Sequence, residues 1–375
     1  MITGYGVVTR CGAGIDAAWA ALSSAEPAGA PFRPASGVEE FFAAPVPESY
    51  RPHPDIPRNL VHFLDSGSLI AIDAALQALR SAGLGAGAGD ARRFAVADGL
   101  PYRAPGQPAM FVPYGHAVAR VLGVRGPVSV SGGAESSGLA AIATAARLVA
   151  GNAADVVVAG AAQALQLPLL EHLHGAGFAA SSPARPFDAA HSGCVPAAGA
   201  AYVVVEAEGH ARQRGANGFA RIAGIGETFD ATAEPLTSSD AAEAGRAMQS
   251  ALADAGYLQN QVDLLISCAD GRPATDYAEG MGARRTFGRH AFYAGVSSVG
   301  GALGFALAAS GPIALVAALE ALRRQEVFPV AGLETPEQDL DLAFVRTAHP
   351  EKLDCVLLTS LGLGGANVAL ILQRV

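Results

Sequence analysis

The sequence predicts an α/β fold, a sheet covered on both faces by helices. Two patterns carry that prediction. Short runs of Val, Ile and Leu recur without polar alternation, the mark of strands buried on both faces. Helical patterns lie between them, and such alternation builds layered sheets. Composition agrees: of 375 residues, 51% are hydrophobic and 16% charged, against a usual charged share of about 25%. A disordered chain is thereby excluded. The net charge of −9 argues against nucleic acid or an anionic membrane as partner. Cys11, Cys194, Cys268 and Cys355 are scattered, with no CxxC and no Cys/His cluster. Neither a zinc site nor a disulfide framework is expected, and a reducing cytoplasm fits.

MITGYGVVTR reads as a strand from the start, without the basic and apolar regions of a secretory signal. The proline-rich stretch from Pro27 to Pro57 reads as a surface excursion. A helix is expected over Leu69 to Ala82. VSVSG then leads through GAESSG (133–138) into a helix over Gly138 to Ala150. Strands follow at 155–159 and 202–205, and a hinge at Glu208 to Gly218. The second half repeats the alternation: a helix over Asp240 to Ala255, a strand at 263–267, a helix over Pro312 to Arg324, and strands at 355–359 and 367–372. Both halves carry Gly-Gly-Ala before an Ala-rich stretch, at 132–134 and 300–302, which suggests a doubled organisation divided as 1–210 and 211–375. Gly300 to Leu319 holds no charge over a length that could span a membrane. Its Gly and Ala content and the internal Pro312 favour a buried helix instead.

Three motifs bear on chemistry. LGLGG (361–365) is followed by another apolar run, NVALILQRV, and not by the helix that a phosphate loop requires. It reads as a tight turn between strands. GAESSG places Glu135 at a helix N-terminus, where the dipole and free amides favour an anion and a cysteine would be a thiolate nucleophile. Glu135 as a cap or pocket filler is the plain alternative. The nine histidines lie outside Gly-rich turns after strands, and His172 and His174 are poorly spaced for a metal.

Over nearly its whole length the chain resembles the ketosynthase group of the thiolase fold. The resemblance is carried by ITGYGVVTRCGAGIDAAWAAL at the start, ARPFDAAHSGCVPAAGAAYVVVEAEGHARQRGA (184–216) in the middle and LLTSLGLGGANVALILQR (357–374) at the end. It implies a five-layered αβαβα fold of two related halves. Ketosynthases use a cysteine that accepts the acyl chain and two histidines that stabilise the enolate formed on decarboxylation. The resemblance puts that cysteine on Glu135. It puts the first histidine, in an Ala-His-Gly-Thr turn, on Cys268, and the second, in Gly-His, on Phe305. The lysine five residues earlier falls on Gly300. A phenylalanine cannot donate a hydrogen bond and a carboxylate only accepts, so the condensing mechanism is not available. The backbone amides of Glu135 and Leu363 match the oxyanion positions.

A ketosynthase lacking these groups is similar to the chain length factors, the β subunits of type II polyketide synthases. The implied role is a non-catalytic subunit without cofactor or metal. It would pair with an active ketosynthase, shape the tunnel for the growing chain, and meet the acyl carrier protein through the complex. Chain length factors commonly hold glutamine where this chain has Glu135. The segment QPAMFVPYGHAVA (107–119) corresponds to the tunnel stretch near the dimer interface. Met110, Phe111, Tyr114 and His116 are the expected gating residues, with core packing as the alternative. The short chain and trimmed loops lean towards highly reducing, polyene-forming systems. Carrier proteins are acidic, so like charge places carrier docking on the catalytic partner. Two rivals remain: a decarboxylase or acyl hydrolase using Glu135, with or without Cys268, and a stand-alone scaffold or homodimer.

Overall fold

The computed structural model describes residues 1–34, 38–85, 90–103, 113–231 and 241–375. Two sets of five strands share one topology. In the first set the order is Val128–Ser131, Phe94–Gly99, Val156–Gln163, Gly199–Glu206, Ile2–Thr9. In the second it is Gly295–Ser298, Leu264–Ser267, Cys355–Leu361, Ala366–Arg374, Ala220–Phe229. The first three strands of each set run parallel, and the remaining pairings are antiparallel. A pairing of Ile2 with Ala220 links the sets. Strands such as Val156–Gln163 and Gly199–Glu206 are buried at every position, as unbroken apolar runs require when helices cover both faces.

The helices Ser137–Ala150 and Ser310–Arg324 form the middle layer, each packed on strands of both sets. Ser66–Ser81 covers the outside of the first set, and Ala241–Ala255 that of the second. The outcome is a mixed α/β molecule of thiolase-like layering. Small residues make the layers close. An added Cβ on Gly138 would lie 2.2 Å from the Ala308 carbonyl oxygen and 2.6 Å from Pro312.

The charge-free stretch Gly300 to Leu319 is broken. A short helix Gly300–Leu303 and a 3-10 turn Leu307–Ala309 precede the long helix. Among the described residues no helix is long and apolar enough to cross a membrane. The break also moves the internal correspondence. Ala134 and Leu307 both adopt positive φ, 52° and 41°, and each opens a 3-10 turn before a middle-layer helix. The equivalent of the Glu135 turn is therefore 307–309 and not the Gly-Gly-Ala at 300–302. LGLGG does turn between two strands, with Gly364 and Gly365 at φ of 99° and 95°.

Candidate functional site

Glu135 sits in the 3-10 turn Ala134–Ser136 at the start of the helix Ser137–Ala150. The hairpin turn of the second half docks on this turn. Gly362 approaches so closely that a Cβ would lie 2.2 Å from the Gly133 carbonyl oxygen. The Ser360 hydroxyl donates to the Glu135 carbonyl oxygen at 3.2 Å. That docking brings the Leu363 N–H to Glu135 Oε2 at 2.5 Å. The backbone donor expected to serve an oxyanion is thus engaged by the carboxylate of the residue in the nucleophile position.

The other oxygen is engaged too. Arg272 Nη1 donates to Glu135 Oε1 at 3.0 Å. The same guanidinium grips Asp270, from Nη2 to Oδ2 at 2.9 Å and from Nε to Oδ1 at 3.0 Å. Its carbon stands 4.4 Å from the centroid of the Phe305 ring, within cation–π range. All four side chains are buried. Burial pushes the Glu135 carboxyl above its ordinary range, against the pull of Arg272 and the Glu135 and Leu363 amides. Burial alone would weaken the charge on Arg272, but Asp270 and Glu135 more than offset that. The result is a closed guanidinium between two carboxylates, capped by an aromatic ring.

Arg272 and Asp270 were not among the expected site residues, and they correct one placement. Cys268 does not face Glu135 through this network. Its thiol donates to Glu279 Oε2 at 3.3 Å and its N–H to Oε1 at 3.1 Å. Glu279 also accepts from Ser267 at 2.7 Å and from the Thr359 hydroxyl. Burial, then the neighbouring Glu279, push the Cys268 thiol well above its ordinary range, so no thiolate is available there. Ala269-Asp270-Gly271 keeps the alanine and glycine of the Ala-His-Gly-Thr turn, so the imidazole position is Asp270 and Arg272 takes the threonine position. The cue lay in the sequence as Ala-x-Gly, with Pro273 opening the helix Pro273–Phe287.

Gly300 has no room for a side chain: a Cβ there would meet the Ala269 carbonyl oxygen at 2.5 Å. Of the expected gating residues, Met110 and Phe111 lie outside the described residues. Tyr114 is 2% exposed and packs into the first-half core, where a Cβ on Gly67 would lie 2.1 Å from its hydroxyl. His116 is exposed to solvent. Tyr114, Val118 and Leu122 form the buried stripe of one helix. Phe305 belongs to an apolar cluster with Leu169, Leu173, Cys194 and Leu307, and Tyr102 packs against it. Tyr102 pairs with His172 Nε2 at 3.0 Å. Among the described residues no group of three or more His, Cys, Asp or Glu is placed to hold a metal ion.

Two family models match the chain: β-ketoacyl synthase, N-terminal domain, over residues 1–211, and β-ketoacyl synthase, C-terminal domain, over residues 219–334. The chain is 31% identical over 412 aligned positions to 3-oxoacyl-[acyl-carrier-protein] synthase 2 of Coxiella burnetii (strain RSA 493 / Nine Mile phase I), covering 100% of this chain and 98% of that protein. It is 32% identical over 410 positions to the putative polyketide β-ketoacyl synthase 1 of Streptomyces cyaneus, covering 99% and 97%. Among solved structures it resembles a β-ketoacyl synthase from Burkholderia phymatum STM815, with a TM-score of 0.89 at 27% identity, covering 100% and 98%. The ishigamide ketosynthase/chain length factor shares the fold, with a TM-score of 0.88 at 22% identity, covering 100% and 98%.

Proposed function

The chain belongs to the β-ketoacyl synthase family, and from that premise we propose that it is a non-condensing member, a subunit of the chain-length-factor type. It would pair with an intact ketosynthase and shape the acyl tunnel of a type II polyketide assembly, of the highly reducing kind. The observation that carries this reading is the closed network of Glu135, Arg272 and Asp270 under Phe305. Condensation needs a thiolate to take the acyl group and donors to hold the enolate oxygen. In this site the nucleophile position is an acceptor, and one imidazole position is a carboxylate bound to arginine. The other is a phenyl ring, the lysine position is a glycine without space, and the hole amide of Leu363 is spent on Glu135.

The edge strand Val128–Ser131 supports an assembly. Its Val128 and Val130 side chains are 37% and 39% exposed, and an open strand edge invites pairing with another chain. Met110 and Phe111 remain the proposed gate, at the end of the segment leading to Tyr114. The two halves, 1–210 and 211–375, would act as one rigid body in this role. One observation favours a second reading: a buried Glu135 with its carboxyl pushed up has the character of a general acid or base, which a decarboxylase or acyl hydrolase would need.

The test is co-expression with a neighbouring intact ketosynthase and assay of the purified complex, with the Glu135→Ala complex beside it. Co-purification and full chain extension by both complexes are expected. Failure to co-purify with any ketosynthase overturns the subunit reading. Loss of extension or decarboxylation in Glu135→Ala favours the enzymatic one. Phe111→Ala is expected to lengthen the products.

A further inference from the structure

Behind the closed site a histidine stands among carboxylates. His191 lies on the segment that leads into the strand Gly199–Glu206, and its side chain is only 9% exposed. Its Nδ1 is 3.6 Å from Asp276 Oδ2, on the helix Pro273–Phe287, and its Nε2 is 3.9 Å from Glu337 Oε2. Among the described residues neither His191 Nδ1 nor Glu337 Oε2 has a hydrogen-bond partner, and a buried polar atom left alone is costly. Asp188 is the third carboxylate acting on the ring. It has its own cation in Arg185 at 3.1 Å, which also reaches Glu334 at 2.8 Å. Asp276 is fully buried. It accepts from the N–H groups of Phe187 at 2.9 Å, Asp270 at 3.0 Å and Gly271 at 3.1 Å. One carboxylate thus fixes the backbone of the loop that presents Asp270 and Arg272 to Glu135. Gly193, two residues after His191, braces the same loop by donating its N–H to the Gly271 carbonyl oxygen at 2.9 Å.

We propose that His191 is a positioning residue, a proton-operated clasp that holds the Asp270–Arg272 loop shut over Glu135. Only the protonated ring donates from both nitrogens, so only that form can serve Asp276 and Glu337 together. The Asp276 carboxylate holds the imidazole above its ordinary 6.5 against the effect of burial, and Glu337 and Asp188 act in the same sense. Burial pushes the Asp276 carboxyl up, as does the neighbouring Asp270, while His191 and the Phe187 and Asp270 amides pull it back. A neutral ring therefore withdraws a positive charge from between Asp276 and Glu337. Below pH 6.5 the ring holds its proton whether the loop is closed or open, and the clasp contributes in full. At higher pH the open form releases a proton that the closed form keeps, so closure weakens as pH rises. The contribution is gone above the raised value. The raised Asp276 carboxyl works in the same direction. The clasp involves this chain's own residues and does not depend on the proposed subunit role.

The test is hydrogen–deuterium exchange of the full chain from about pH 6 to about pH 8, a range that spans the ordinary imidazole titration. Rates are corrected for the intrinsic pH dependence of exchange and read at peptides covering Phe187 and Asp270–Gly271. Protection there is expected to fall about tenfold over that range, while the strand Val156–Gln163 keeps its own, which separates local opening from global unfolding. His191→Arg, a cation throughout, is expected to hold the loop protected at every pH. His191→Gln, neutral throughout, is expected to leave it poorly protected and equally flat. Native protection that does not change with pH overturns the proposal, as does a native slope retained in either variant. Should His191→Gln fail to fold, the native profile and the flat His191→Arg profile decide between the same outcomes.

Discussion

Arg272 decides the character of the site, because it is, among the described residues, the cation paired with both buried carboxylates. Removing it leaves Glu135 and Asp270 buried without a counter-charge, whereas removing Glu135 leaves the Arg272–Asp270 pair intact. Breaking a buried pair costs about 3–5 kcal/mol. Arg272→Leu is expected to lose that much in urea denaturation, and Glu135→Ala markedly less. Equal losses would deny Arg272 its central place. Asp98 gives a second residue-scale expectation. It is fully buried, accepts from Tyr202 at 2.6 Å and from the Gly115 N–H at 2.7 Å, and burial raises its pKa from 3.8 to about 7. Below pH 3.8 both folded and unfolded chains hold the proton and the carboxyl carries no penalty. Between 3.8 and 7 the unfolded chain releases it while the folded chain keeps it, so stability falls as pH rises and levels off above 7. The shift corresponds to a loss on the order of 4 kcal/mol. The difference in unfolding free energy between native protein and Asp98→Asn should therefore grow from pH 4 to 7. A flat difference would contradict the buried carboxyl. Glu135 itself was legible in the sequence as a residue at a helix N-terminus. Arg272 was not, because a charged residue beside glycine in a loop ordinarily faces water, and only the packing of two distant turns buries it.

At the scale of elements, the layers meet through backbone contact. Gly138 lies against Ala308 and Pro312, where the two middle-layer helices cross. A Val there has nowhere to go, since both neighbours are backbone or ring atoms in close-packed surroundings. Gly138→Val is expected to cost at least about 3 kcal/mol by urea denaturation, or to prevent soluble folding. A loss under about 1 kcal/mol would mean that the helices can part. The strands and main helices were legible because unbroken apolar runs and helical spacing are local signals. The structure extends most of them by a residue or more: the strand expected at 155–159 runs to Gln163, and the helix expected from Pro312 starts at Ser310. The break within Gly300 to Leu319 was not legible. Its cause is the turn around Phe305, whose N–H bonds to Val195 at 2.7 Å from another part of the chain.

At the scale of the whole molecule, composition described the interior well. The high apolar share is explained by strands buried on both faces and a middle helix layer. The open edge at Val128–Ser131 is the proposed meeting place with another chain. Val130→Lys should abolish co-purification with a ketosynthase while leaving the unfolding transition within about 0.5 kcal/mol, as exposed substitutions usually do. Co-purification unchanged by that substitution would move the interface elsewhere.

In the proposed subunit role this chain takes no acyl group itself. Intact mass spectrometry of the purified complex after incubation with acylated carrier protein reads it directly. The predicted result is an acyl adduct on the intact ketosynthase and an unchanged mass for this chain, in native protein and in Glu135→Ala alike. A covalent acyl adduct on this chain, or extension product formed by it without a partner, would overturn the non-condensing role.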